Sequence, residues 1–198
     1  MIKQFVRDLH YALNNREHAI FTHLLPEEKR ERLAAFANRF ENFIETGTYL
    51  GETAAAMAKV YRNVHTVEIH EDLYHNATER LRQHGNVTTH HGNSSDILPR
   101  ILDQLSGPAV FWLDAHYSGP KTGRITRSQQ TPIEEELSQI FATGSSEHLI
   151  FIDDARLFVG KDSYPKLGRL WKFVRTHSPY SMTVRDDIIR LAVDRERF

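Results

Sequence analysis

Two apolar runs in this chain end in acids. "VFWLDAH" carries Asp114 and His116 past its last apolar residue, and "LIFIDDA" carries Asp153 and Asp154. Carboxylates gathered at one point repel, which raises their pKa unless a cation compensates. A hard divalent ion with oxygen ligands, such as magnesium, is the natural compensation. The imidazole of His116, with an ordinary pKa of about 6.5, suits proton removal at neutral pH. The same aspartates could instead cap helices or pair with Arg156, Arg124 or Lys121, and His116 could simply be a hydrogen-bonded histidine.

A second set of residues suits a ligand with a nucleoside. "ENFIETGTYLGETAAAMAKV", residues 41–60, passes from a buried strand through Gly47 and Gly51 into an alanine-rich helix. Glycine there either makes a tight turn or lets a ligand touch backbone. The dehydrogenase pattern G-x-G-x-x-G is absent. Roughly twenty residues after Gly47, however, Glu68 ends the next apolar run, where an acid can accept both ribose hydroxyls. Alone, Glu68 could be a helix-capping acid; beside the glycine turn it favours a nucleoside-bearing cofactor. Ser94, Ser95 and Asp96 follow the third run; they can cap a helix, and they also sit where a base would lie.

These residues need strands to carry them. Candidate strands are Phe43–Glu45, Val64–Ile69, Val87–His90, Ala109–Asp114 and Leu149–Asp153. Helical spacing fills the intervals at about Glu52–Tyr61, Leu73–Gln83, Ser95–Leu105 and Pro132–Phe141, with Thr131 and Glu134 forming a capping box. Such alternation predicts βαβ units and a mostly parallel sheet. A helix over Lys166–His177 precedes "YSMTVRDDIIRLAV", which predicts an antiparallel hairpin turning at Asp186-Asp187. Two helices come first, one with Ile2, Phe5, Val6 and Leu9 on one face, the other over Pro26–Phe40. The fold class is therefore α/β, a three-layer Rossmann-like sandwich. Ligands in such sheets bind beyond the carboxyl ends of the strands, at the switch in strand order.

In order and motifs, "FIETGTYLGETAAAMAKV", "VHTVEIHEDL", "GNSSDILP", "FWLDAH" and "LIFIDDA" resemble the class I S-adenosylmethionine (SAM)-dependent methyltransferases. The likeness runs from Glu41 to the carboxyl terminus. It is nearest to the metal-dependent small-molecule O-methyltransferases of the catechol and macrocin types. The glycine motif matches in part, because Tyr49 stands at its middle glycine. The resemblance implies a seven-stranded sheet. It implies that Glu45, Gly47, Thr48, Tyr49, Gly51 and Thr53 hold the amino-acid end of SAM, Glu68 the ribose, and Ser94 and Ser95 the adenine, with Asp114 close to the sulfonium. It also implies Asp114, Asp153 and Asp154 as magnesium ligands. The lysine that serves the catechol type as base has no counterpart in Asp114-Ala115-His116-Tyr117, which leaves Asp114 and His116 as the catalytic candidates.

Composition narrows the alternatives. At 198 residues, with 40% hydrophobic and 26% charged, the chain suits one domain: an N-terminal helical extension over 1–40 and a core over 41–198. A formal net charge of -1 gives no reason to expect nucleic acid or an anionic membrane as partner. Without cysteine there is neither a disulfide framework nor a thiolate zinc site. The "HEDLYH" stretch has one residue too many for a helical zinc pair, since five positions turn a helix by about 500°. The amino terminus does not read as a signal peptide, so a cytoplasmic protein is expected, with the N-terminal helices open to homo-oligomer formation. The long polar run 117–130 reads as a substrate lid, and its Lys121, Arg124 and Arg127 favour an anionic small-molecule acceptor. A metal-dependent hydrolase built on Asp114, His116, Asp153 and Asp154, and a SAM-binding protein without catalysis, are the competing readings.

Overall fold

The computed structural model describes residues 24–114, 131–145, 147–161 and 163–193. Strands buried on both faces read as continuous apolar runs, and "AVFWL" and "LIFI" do. They form β4 (Ala109–Leu113) and β5 (Leu149–Ile152), which with β1 (Asn42–Thr46) are buried at every position. Outward from β1 lie β2 (Asn63–Glu68) and β3 (Val87–His91); beyond β5 come β7 (Ile188–Ala192) and β6 (Ser181–Arg185). The order is β3-β2-β1-β4-β5-β7-β6, with β5–β7 and β6–β7 antiparallel and all other pairs parallel. The expected Rossmann-like sheet with its terminal hairpin is therefore present. The hairpin turns on Asp186 and Asp187, both with positive φ, as its mirror-image turn requires.

Alternation along the strands makes two cores. Ile44, Phe111, Leu113, Ile150 and Ile152 face α4 (Ser94–Gln104), α5 (Ile133–Ala142) and α6 (Leu167–His177). Phe43, Val110, Trp112 and Phe151 face α1 (Pro26–Ala34), α2 (Glu52–Met57) and α3 (Glu71–Leu81). Among the described residues no helix is long and apolar enough to cross a membrane.

Several ends differ from expectation. The helix begun at Pro26 stops at Ala34 rather than Phe40, and α2 stops at Met57 rather than Tyr61. In both, the following residues tighten into i→i−3 bonds, such as Ala37 N to Ala34 O and Val60 N to Met57 O. The Thr131–Glu134 capping box does not form. Pro132 occupies the N-cap without a side-chain cap, while Glu134 binds Arg169 through both its oxygens at 3.0 Å. Asn93, rather than the serines, caps α4 by accepting from Ser95 N. Within α4, Pro99 has no N–H to give to the carbonyl of Ser95. Gln139 of α5 donates to that carbonyl instead, at 2.7 Å.

Candidate active site

The chain runs from β1 outward to β3, then returns to β4 and outward the other way, so the switch lies between β1 and β4. Their register pairs Thr46 with Leu113, and the ladder continues one step as Asp114 N donates to Thr46 O at 2.9 Å. Leu113 pairs in turn with Ile152, and Asp153 N donates to Leu113 O at 3.1 Å. Gly47, Asp114 and Asp153 thus leave three adjacent strands at one level.

The turn after β1 uses positive φ three times, at Gly47 (91°), Tyr49 (48°) and Gly51 (73°). Gly47 N and Thr48 N both donate to Val67 O, folding the turn over the end of β2. Glu68 holds it from the other side: its carboxylate accepts from Tyr49 N at 2.8 Å and from His70 N at 2.9 Å. Each carboxylate oxygen has about two acceptor sites, so each keeps one after its backbone bond. That spare capacity fits the pair of ribose hydroxyls expected there. At Gly51 a Cβ would sit 3.2 Å from Leu81, where α2 crosses α3.

Beneath the turn, Thr66 Oγ1 donates to Glu45 at 2.6 Å, so in its 2.6 Å contact with Thr48 the latter is the donor. Thr53 also hydrogen-bonds Glu45. Burial pushes the Glu45 carboxyl up to about 8 against the lowering effect of Thr66, with the charges of Asp114 and Glu68 adding to the rise. Ser94 and Ser95 are buried at the first turn of α4. Ser94 lies with Thr46 beside a carboxyl the sequence reading missed, Glu136, which burial pushes up to about 7 while both hydroxyls oppose the shift. Of the three acids Glu134, Glu135 and Glu136, only the third is buried.

A cavity of about 280 Å³ opens beside the Gly47 turn, and Glu68, Ser94, Ser95 and Glu136 are not among the residues that line it. Its walls include Glu45, residues 47–50, Thr53, Trp112, Asp114 and Asp153, and α1 contributes Lys29 and Arg30. Lys29 is the second missed residue. In "PEEKRERL" it looks like one charge of a solvated helix face, yet Nζ reaches both Asp153 oxygens, at 2.6 and 2.7 Å, and stands 5.9 Å from the centre of the Trp112 ring.

The expected magnesium centre at Asp114, Asp153 and Asp154 does not form as a ligand set. No group of three Asp, Glu, His or Cys side chains among the described residues is placed to hold a metal ion. Two contacts occupy these carboxylates: Lys29 engages both oxygens of Asp153, and Asp154, with a φ of 57°, pairs with Arg156 at 2.6 Å. Arg156 also binds Asp187 at the hairpin turn. Burial, then Asp114 and Asp154, push the Asp153 carboxyl upward, and Lys29 opposes them. His116 and the 117–130 segment lie outside the described residues.

No protein-family model matches the sequence, and no curated protein matches it either. Solved structures do match in shape. An O-methyltransferase from Bacillus cereus in complex with S-adenosylhomocysteine (SAH) superimposes with a TM-score of 0.64, 14% identity, and coverage of 96% of this chain and 89% of that one. The O-methyltransferase TomG from Streptomyces achromogenes, involved in tomaymycin synthesis and solved with SAM, gives 0.61 and 18%, covering 86% and 82%. An SAH-bound methyltransferase from Podospora anserina gives 0.59 and 16%, covering 97% and 96%. The chain has the class I methyltransferase fold. The switch between β1 and β4 carries the Gly47 turn and Asp114.

Proposed function

We propose that this protein is a SAM-dependent methyltransferase acting on a hydroxyl oxygen of a small molecule. The observation that carries the reading is a ligand-sized cavity lined by residues 47–50 of the turn, with a buried Glu68 that retains acceptor capacity at the next strand end. The likeness to O-methyltransferases solved with SAM or SAH supports it. When bound, SAM supplies a methyl group on a positively charged sulfur, open to in-line attack by oxygen.

The residues have these tasks in the reading. Glu68 accepts the ribose hydroxyls, and Gly47, lacking a side chain, lets the amino-acid end approach backbone. Asp114 lines the cavity and supplies negative potential toward a cationic ligand, while Glu45, which keeps its proton at neutral pH, lines it and anchors Thr66 and Thr53 beneath the turn. Ser94 and Ser95 stand on the adenine side. His116, two residues beyond Asp114, is the base that takes the acceptor's proton.

Calorimetry with SAH tests the cofactor site. Wild-type protein should bind with one site per chain. Glu68→Ala removes charge-assisted hydrogen bonds worth about 1.5–3 kcal/mol each and should weaken binding at least about tenfold. A folded wild type that binds neither SAM nor SAH would sink the reading. Incubation with methyl-tritiated SAM and a panel of phenols, sugars and hydroxy acids then tests transfer itself. Label appearing as a base-stable ether is the expected result.

A further inference from the structure

Helix α1 buries little apolar surface; Leu33 is its one buried residue. Ion pairs hold it over the sheet instead: Arg30 to Glu52 at 3.6 Å, Arg32 to Asp186 at 2.5 Å, and Lys29 to Asp153 at 2.6 Å. The third is unlike the other two. Asp153 is 7% exposed and Lys29 16%, and the contact spans 124 positions to reach the carboxyl ends of β4 and β5. A buried carboxylate beside other carboxylates demands a countercharge. The side-chain ammonium already provides one, at the position where the acidic pattern implied a metal.

We infer that Lys29 is the resident cation of this site and that it keeps a divalent ion out. The two Asp153 oxygens that a hard ion would need are both engaged by Nζ. An ion placed there would meet a fixed positive charge at bonding distance, and Asp154 is committed to Arg156. The inference has a consequence for the acceptor, and this part rests on the methyltransferase reading above. A divalent ion can take two neighbouring substrate oxygens at once. An ammonium is a hydrogen-bond donor only, so the Nζ that engages Asp153 beside the cavity cannot chelate two substrate oxygens as a metal ion does. The acceptor class is therefore one presenting a single hydroxyl, with no need of a second oxygen beside it for chelation.

Manganese, whose free ion is counted directly by electron paramagnetic resonance, tests the inference. Wild-type protein, with and without SAH, should leave the free Mn²⁺ signal unchanged at protein and metal concentrations near 0.1 mM. Lys29→Met should bind about one Mn²⁺ per chain, and adding Asp153→Asn to that variant should abolish it. Lys29→Arg keeps the charge and should behave like wild type, which separates loss of charge from loss of the helix; melting curves verify that each variant is folded. One Mn²⁺ bound by wild type and lost in Asp153→Asn overturns the inference, as does a folded Lys29→Met that gains no site. These arms read metal alone, so failure of SAH to bind would remove the methyltransferase reading without deciding this one.

Discussion

The Glu45 carboxyl is strongly displaced by burial, and the sign of its effect can be tested without any ligand. Burial, opposed by Thr66, holds its pKa at about 8 instead of 4.5. Between those values the folded chain keeps a proton that the unfolded chain gives up. A raised folded-state pKa contributes stability that is complete below pH 4.5 and lost as pH rises through 8. Glu45→Gln keeps an acceptor for Thr66 and never ionises. Its melting temperature should match wild type at pH 5 and exceed it at pH 9, by an amount reflecting up to a few kcal/mol. An equal difference at both pH values would mean that Glu45 does not ionise as described. This residue was visible in the sequence because it ends a strand before a glycine turn. Lys29 was not, because its meaning comes from a partner 124 positions away, and no periodicity encodes that pairing.

At the level of elements, strand centres were legible because burial on both faces writes an apolar run, and the hairpin because two β-rich runs leave no room for a helix. Helix ends were less so. The proposed cap at Thr131–Glu134 had the right spacing, but Arg169 on α6 competes for Glu134 and wins. Pro99 shows the reverse case, a local conflict settled by a neighbouring element. Gln139 supplies the donor that α4 lacks, joining α4 to α5 directly beneath Ser95. Gln139→Met should leave the Ser95 carbonyl without that partner and cost about 1–3 kcal/mol in urea unfolding. Pro99→Ala restores an N–H to the same carbonyl, so in the Gln139→Met background it should recover most of the loss. Strict additivity of the two substitutions would show that they do not share this acceptor.

Across the whole molecule, the site depends on both cores at once, since β4 sends Phe111 and Leu113 to one and Val110 and Trp112 to the other. Neither layer can open without exposing the strand that delivers Asp114. The two tryptophans report the two sides separately: Trp112 is buried among α1–α3, and Trp171 of α6 packs on the opposite core. Trp171→Phe leaves fluorescence reporting one side, and Trp112→Phe the other. Because the sheet backbone is common to both, each variant's fluorescence midpoint in urea should coincide with its own midpoint by far-UV circular dichroism, as two-state unfolding requires. Trp112→Phe removes volume from a buried site and should lower both of its midpoints together. A fluorescence transition preceding the loss of secondary structure in either variant would mean that one layer detaches first. The crevice between β1 and β4 would then be held by two separable units rather than by one sheet.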